Sequence, residues 1–140
     1  MANMFRECNS LISLDLTNFD THLVYDMSWM FYNCNNLENI DISKFNTINL
    51  KNMEYMFCSC SSLVSIDLTN FNTSLVEKMN GLFQGCSKLV SLDLYNFDTS
   101  KVKYMHWMFY ECFNLVSLNI SSLKLIQWKI WQLCLSGVNH

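Results

Sequence analysis

The sequence predicts an α/β fold: an open, right-handed solenoid of five 26-residue strand–helix units, with a parallel sheet on one face and helices on the other. Three observations carry this. Cysteines stand at Cys8, Cys34, Cys60, Cys86 and Cys112, each 26 residues after the last. Phe5, Phe31, Phe57, Phe83 and Phe109 keep the same interval, as do Met27, Met53, Met79 and Met105, and Thr21, Thr47, Thr73 and Thr99. Within each interval a stripe of helical spacing gives way to a short segment that alternates with period two. Many columns agreeing on one period, without insertion, mark a repeat architecture.

The elements follow in chain order within one domain, 1–140. Met1, Met4, Phe5 and Cys8 occupy the register of Met27, Met30, Phe31 and Cys34, so residues 1–8 read as the partial helix of a truncated repeat. No polar capping segment precedes them. Solenoids need polar end caps, so the chain is expected to be part of a longer array and to self-associate through its uncapped N-terminal face. Residues 9–122 hold the regular repeats. In the unit beginning at Val76, the residues Val76, Met79, Leu82, Phe83 and Cys86 form one apolar helical stripe. The preceding Asn72, Thr73 and Ser74 supply oxygens suited to capping a helix N-terminus. Leu89, Leu92 and Leu94 then interleave with Ser91, Asp93 and Tyr95 as a short strand. Residues 123–140 read as a degenerate capping helix, in which Trp128, Trp131, Cys134 and Leu135 keep helical spacing.

Strands separated by a helix run parallel, with a right-handed crossover. A closed eight-stranded barrel would need three more strands than this chain offers. A β-helix without helical segments would leave the 3.6-period stripe unused.

The units carry Met-x-x-Met-Phe-x-x-Cys, with Leu82 in place of the second Met in the stretch Met79–Val102, and there it is followed by Leu-x-x-Leu-Asp-Leu-x-x-Phe-Asp-Thr. It resembles the BspA-type leucine-rich repeat, also known as the Mycoplasma-lipoprotein-type repeat of unknown function. The resemblance spans nearly the whole chain and makes the expected fold leucine-rich-repeat-like. It implies a cell-surface or secreted protein of bacteria or protists, with adhesins among its relatives, and no catalytic residues. It carries over no binding residue. The departures lie at the ends, where Leu123, Leu125, Trp128 and Trp131 replace the expected residues.

Composition narrows the function. Apolar residues make up 51% of the chain and the net charge is −3, so no basic patch points to nucleic acid. Polar residues interrupt every apolar run before it reaches the roughly 18–20 residues of a membrane span. Met1–Ser10 lack the basic start and apolar block of a signal peptide.

The Asp15, Asp41, Asp67, Asp93 and Asn119 column is the leading candidate for ligand binding. Alternation with the inward leucines places it on the outer strand surface, flanked by Ser65, Ser91, Ser117 and Tyr95. Carboxylates stacked about 4.8 Å apart repel by roughly 0.9 kcal/mol per pair even in water. A cation, a basic ligand or raised pKa values would relieve that stripe; hydrogen bonds from nearby hydroxyls and turn amides are the plainer alternative.

The cysteine column lies on the apolar stripe, where free thiols behave as small hydrophobes. Cys58-Ser59-Cys60 is too short a pattern for zinc, and neither a metal nor a cofactor is expected. The Thr column is assigned to helix capping rather than to ordering water. Trp29, Tyr32, Tyr55, Tyr104, Trp107 and Tyr110, outside the core columns, are expected on the half-exposed helix side, packed between helices or anchoring a protein partner. Asn72-Thr73-Ser74 and Asn119-Ile120-Ser121 match the glycosylation sequon. His22, His106 and His140 share no column and no phosphate loop is present, so the chain is not expected to be an enzyme. Two roles remain: a recognition or adhesion module binding protein or glycan through the repeat surface, and a structural spacer of a longer surface protein.

Overall fold

A computed structural model describes residues 1–123 and places them as a stack of 26-residue coils. The translation is direct. Ser91–Asp93 (β1) and Ser117–Asn119 (β2) pair in parallel, Ser91 opposite Ser117 and Asp93 opposite Asn119. A second line of parallel bridges runs Asp26, Asn52, Lys78, Tyr104. Every one of these pairings steps by 26 residues, so sequence period and spatial repeat coincide. On the β1 side, amides reach back to the coil before, Val64 to Glu38, Val90 to Val64, and Val116 and Ser117 to Val90. Among the described residues, regular strand pairing extends over three residues only in β1 and β2.

The expected helices are absent among the described residues, and this includes the partial helix assigned to 1–8. The hydrogen bonds show what replaces them. Met30, Tyr32 and Cys34 donate to Met27, Trp29 and Phe31, three residues back in the same coil. The intervening Met27, Trp29, Phe31 and Asn33 donate instead to Asn52, Glu54, Met56 and Cys58 of the next coil. A helix would send these amides four residues back along its own chain. Here alternate amides are turned along the stack by residues with left-handed backbone: Asn3 and Glu7, Trp29 and Asn33, Tyr55 and Ser59, Gly81 and Gly85, Trp107 and Glu111, all with φ between 54° and 73°. The segment is a run of overlapping turns. It still buries Met27, Met30, Phe31 and Cys34, the same stripe a helix would bury.

The core is a bundle of columns. The rings of Phe5, Phe31, Phe57, Phe83 and Phe109 stack nearly parallel, with successive centroids 5.4, 5.6, 5.8 and 6.2 Å apart. Leu37, Leu63, Leu89 and Leu115 fill a neighbouring column, and Phe45, Phe71 and Phe97 another, with Leu123 in the next place.

The buried Thr column is not a set of helix caps, because no helix follows it. The Thr21 hydroxyl accepts from the Asn46 amide at 2.7 Å and donates to the Asn46 carbonyl at 3.1 Å. Thr73 does the same to Asp98, at 2.8 and 3.1 Å. Thr21, Thr47 and Thr73 thereby each clip one coil to the next. The thiol column acts similarly: Cys34, Cys60, Cys86 and Cys112 donate to the carbonyls of Phe5, Phe31, Phe57 and Phe83 in the preceding coil, at 3.0–3.1 Å. The capping helix assigned to 123–140, with Trp128, Trp131 and Cys134, lies outside the described residues apart from Leu123.

Candidate binding surfaces

The acidic column sits where the alternation places it. Asp15, Asp41, Asp67 and Asp93 are exposed and Asn119 is half-buried, with Ser65, Ser91 and Tyr95 exposed beside them. Each carboxylate closes its own turn. Oδ1 accepts from the amide two residues on, Thr17, Ser43, Thr69 and Tyr95, at 2.9–3.0 Å. Thr17 and Thr69 add hydroxyl bonds of 2.7 Å, and Asn119 forms the same turn with Ser121. These local bonds outweigh the repulsion between neighbours. The Thr69 amide, and then its hydroxyl, hold the Asp67 carboxyl below its ordinary value, while Asp41 pushes it up only weakly. Asp15 is lowered by Thr17 and Asp41 by Ser43. Raised carboxyl pKa values, one of the reliefs expected for this stripe, are therefore not found at these three positions. A shallow cavity of about 300 Å³ lies between Asp41 and Asp67, lined also by Asn39, Ile40, Ser65 and Ile66. Among the described residues no three His, Cys, Asp or Glu side chains converge as a metal site would require.

The thiols are buried and unpaired at Cys34, Cys58, Cys60, Cys86 and Cys112, whereas Cys8 is exposed. Burial pushes the Cys34 thiol up to about 11 and that of Cys112 to about 12, and raises Cys60 and Cys86 as well. At those values the thiols stay neutral and unreactive at physiological pH.

The turn side carries a larger groove of about 440 Å³, which the sequence reading did not assemble into one feature. Its walls are two columns three residues apart. Trp29, Tyr55 and Trp107 form one; Tyr32, Cys58, Gln84 and Tyr110 form the other. These aromatics keep the 26-residue register themselves, and that shared spacing is the signal that could have found the groove. Tyr104, grouped with them on sequence, stands instead on the line of parallel bridges. Gly81 takes the open place between Tyr55 and Trp107. A Cβ there would run into the Tyr55 ring, which leans over the bare backbone. Tyr55 also stacks on Trp29, with centroids 4.4 Å apart, and Tyr32 meets Trp29 edge-on at 4.8 Å. The aromatic packing is thus between turns of adjacent coils, not between helices. At the N-terminal end, the Arg6 guanidinium lies 5.3 Å from the Trp29 ring centre and 5.2 Å from that of Tyr32.

Comparison with known proteins agrees with the stack. The structure is similar to a leucine-rich repeat protein from Bacteroides ovatus ATCC 8483, at 19% identity and a TM-score of 0.59, covering 89% of this chain and 29% of that one. A leucine-rich repeat protein from T. pallidum is also similar, at 21% identity and a TM-score of 0.49, covering 84% of this chain and 60% of that one. The chain therefore spans less than two thirds of either. No curated protein sequence matches it. The model of the family described as Mycoplasma protein of unknown function, DUF285, matches residues 1–129. With a 26-residue register held through the core columns and a leucine-rich repeat solenoid as structural neighbour, the chain belongs to this BspA-type repeat family.

Proposed function

We propose that the chain is a non-catalytic recognition module, displayed on a cell surface or secreted, that binds protein or glycan through its repeat surface. The observation that carries this reading is the aromatic-walled groove. A monomeric scaffold gains nothing in stability by leaving Trp107 46% exposed beside an open cavity, and exposed Trp and Tyr on rigid backbone are common anchors of binding interfaces. The volume falls within the roughly 300–1,000 Å³ of small-molecule and side-chain pockets. Among the described residues its lining holds no carboxylate and no histidine. His22 pairs with Asp20 on an exposed turn, and His106 contacts Asn80, so neither enters either cavity.

The strand-face column of Asp15, Asp41, Asp67, Asp93 and Asn119, with Ser65, Ser91 and Tyr95, offers a second contact face. In each of the four aspartates Oδ1 closes a turn and the second carboxylate oxygen remains available to a ligand. The test is capture by the immobilised chain of purified extracellular-matrix proteins and arrayed glycans. The native chain should capture at least one. Combined Asp41→Asn, Asp67→Asn and Asp93→Asn should weaken capture if the strand face takes part and leave it unchanged if the groove alone does. No capture by the native chain would leave the spacer reading, which the uniform translation of the coils also suits.

A further inference from the structure

The stack contains its own internal comparison. Trp29 and Tyr32 stand three residues apart in one coil, and Trp107 and Tyr110 stand at the same two places three coils later. Trp29 and Trp107 share the left-handed backbone, with φ of 60° and 57°, and all four residues line the same groove. The first pair carries a cation supplied by the chain. Arg6, from the preceding coil, lies over both rings, and its Nε donates to Glu7 at 3.2 Å.

Among the described residues the second pair has no such cation. The place of Arg6 is taken by Gln84, in the coil before Trp107, and the place of Asn3 by Gly81. Both changes shorten the side chains in front of the rings, and there the groove is open. Negative charge is nonetheless provided. The place of Glu7 is taken by Gly85; the carboxylate here is Glu111, one coil further on and directly after Tyr110 in the chain, whose charge adds to burial in raising the Cys58 thiol. Gln84 adds a neutral acceptor at the wall. His106 is the basic-capable neighbour of Trp107, 6.3 Å ring to ring, and its Nδ1 faces Asn80. The electron-rich faces of an indole and a phenol attract a planar cation laid over them, and a nearby carboxylate adds to that attraction. The planar, weakly hydrated guanidinium suits such a site better than an ammonium does.

We propose that the end of the groove walled by Trp107 and Tyr110, with Glu111 beside it, is a seat for the guanidinium of an arginine side chain on a partner protein. The seat reproduces in trans what Arg6 does in cis on Trp29 and Tyr32. This rests on the recognition reading and gives its partner a chemistry: a protein with an exposed arginine.

The probe is Nα-acetyl-arginine methylamide, with the citrulline analogue as its uncharged isostere, followed through the indole N–H signals of the native chain. The arginine probe should shift the Trp107 indole in a saturable, millimolar manner and leave Trp29 unmoved, while citrulline should do neither. Arg6→Ala should vacate the first pair, so that the probe then shifts Trp29 as well. Glu111→Gln, which keeps size and fold, should weaken binding about two- to fivefold. Equal responses to arginine and citrulline would overturn the seat, as would an unresponsive Trp29 in Arg6→Ala. A larger shift of Trp107 by methyl glucoside would overturn it too, assigning the groove to a neutral sugar. If these fail while the native chain still captures a matrix protein or glycan, the seat is wrong and the recognition reading stands.

Discussion

The hydroxyl of Thr47 accepts a hydrogen bond from the amide of Asn72 at 2.8 Å and returns one to the carbonyl of the same residue at 3.1 Å. A single buried side chain thus satisfies both backbone groups of a residue 25 positions away, in the next coil. Thr47→Val keeps the shape and removes both bonds. Leaving two buried backbone groups unpaired costs about 2–4 kcal/mol, and urea unfolding should show a loss of that size. Thr47→Ser, which retains the hydroxyl, should lose less.

The left-handed positions make an opposed pair of substitutions. Gly85 has φ of 73°, and a Cβ there would sit 3.3–3.5 Å from Ser59 in the coil before. Gly85→Ala should destabilise by about 1–2 kcal/mol. Ser59 adopts φ of 60° without being glycine. Ser59→Gly relieves that strain at some entropic cost and should stabilise by about 0.5–1 kcal/mol. Thermal melting of the two variants should move in opposite directions.

The thiol column sets the alkaline limit of stability. Cys34 and Cys112 titrate near 11 and 12 in the folded chain, against about 9 when free. Above pH 9 the unfolded chain gives up thiol protons that the folded chain keeps, so their stabilising contribution is present below pH 9 and is lost as pH rises toward 11–12. Stability measured from pH 8 to 11 should fall, and Cys34→Ala should flatten the fall. Iodoacetamide at pH 8 should label Cys8 in the native chain and reach Cys34, Cys60, Cys86 and Cys112 only in urea.

The acidic column predicts the behaviour at the other end of the pH scale. Folded-state carboxyl values of Asp15, Asp41 and Asp67 lie below the ordinary 3.8. The stabilising contribution is therefore present above that value and lost as pH falls through the lower folded values. Combined Asp41→Asn and Asp67→Asn should keep the turns, since Asn119 forms the same turn with its amide oxygen. The double variant should melt no lower than the native chain at pH 7 and low salt, and its melting temperature should fall less between pH 4 and pH 2.

Part of this was legible from residue order alone. The 26-residue period, the identity of the core columns and the outward placement of Asp41, Asp67 and Asp93 all follow from spacing, because identical coils stacked by translation must align equivalent side chains. The groove was half legible. Trp29, Tyr55 and Trp107 share the period, but Gly81 means something only once it is seen to open the space between two aromatic neighbours.

The backbone between those columns was decided in three dimensions. Met27, Met30, Phe31 and Cys34 are spaced for a helix, and overlapping turns bury the same four residues equally well. What separates the two is where the amides of Met27, Trp29 and Phe31 find acceptors, and those acceptors are Asn52, Glu54 and Met56, each 25 residues away. A hydrogen bond to the adjacent coil exists only when that coil is already in place, so local spacing could not reveal it. Gly81 and Gly85 were the local trace of the left-handed turns, in one coil of five.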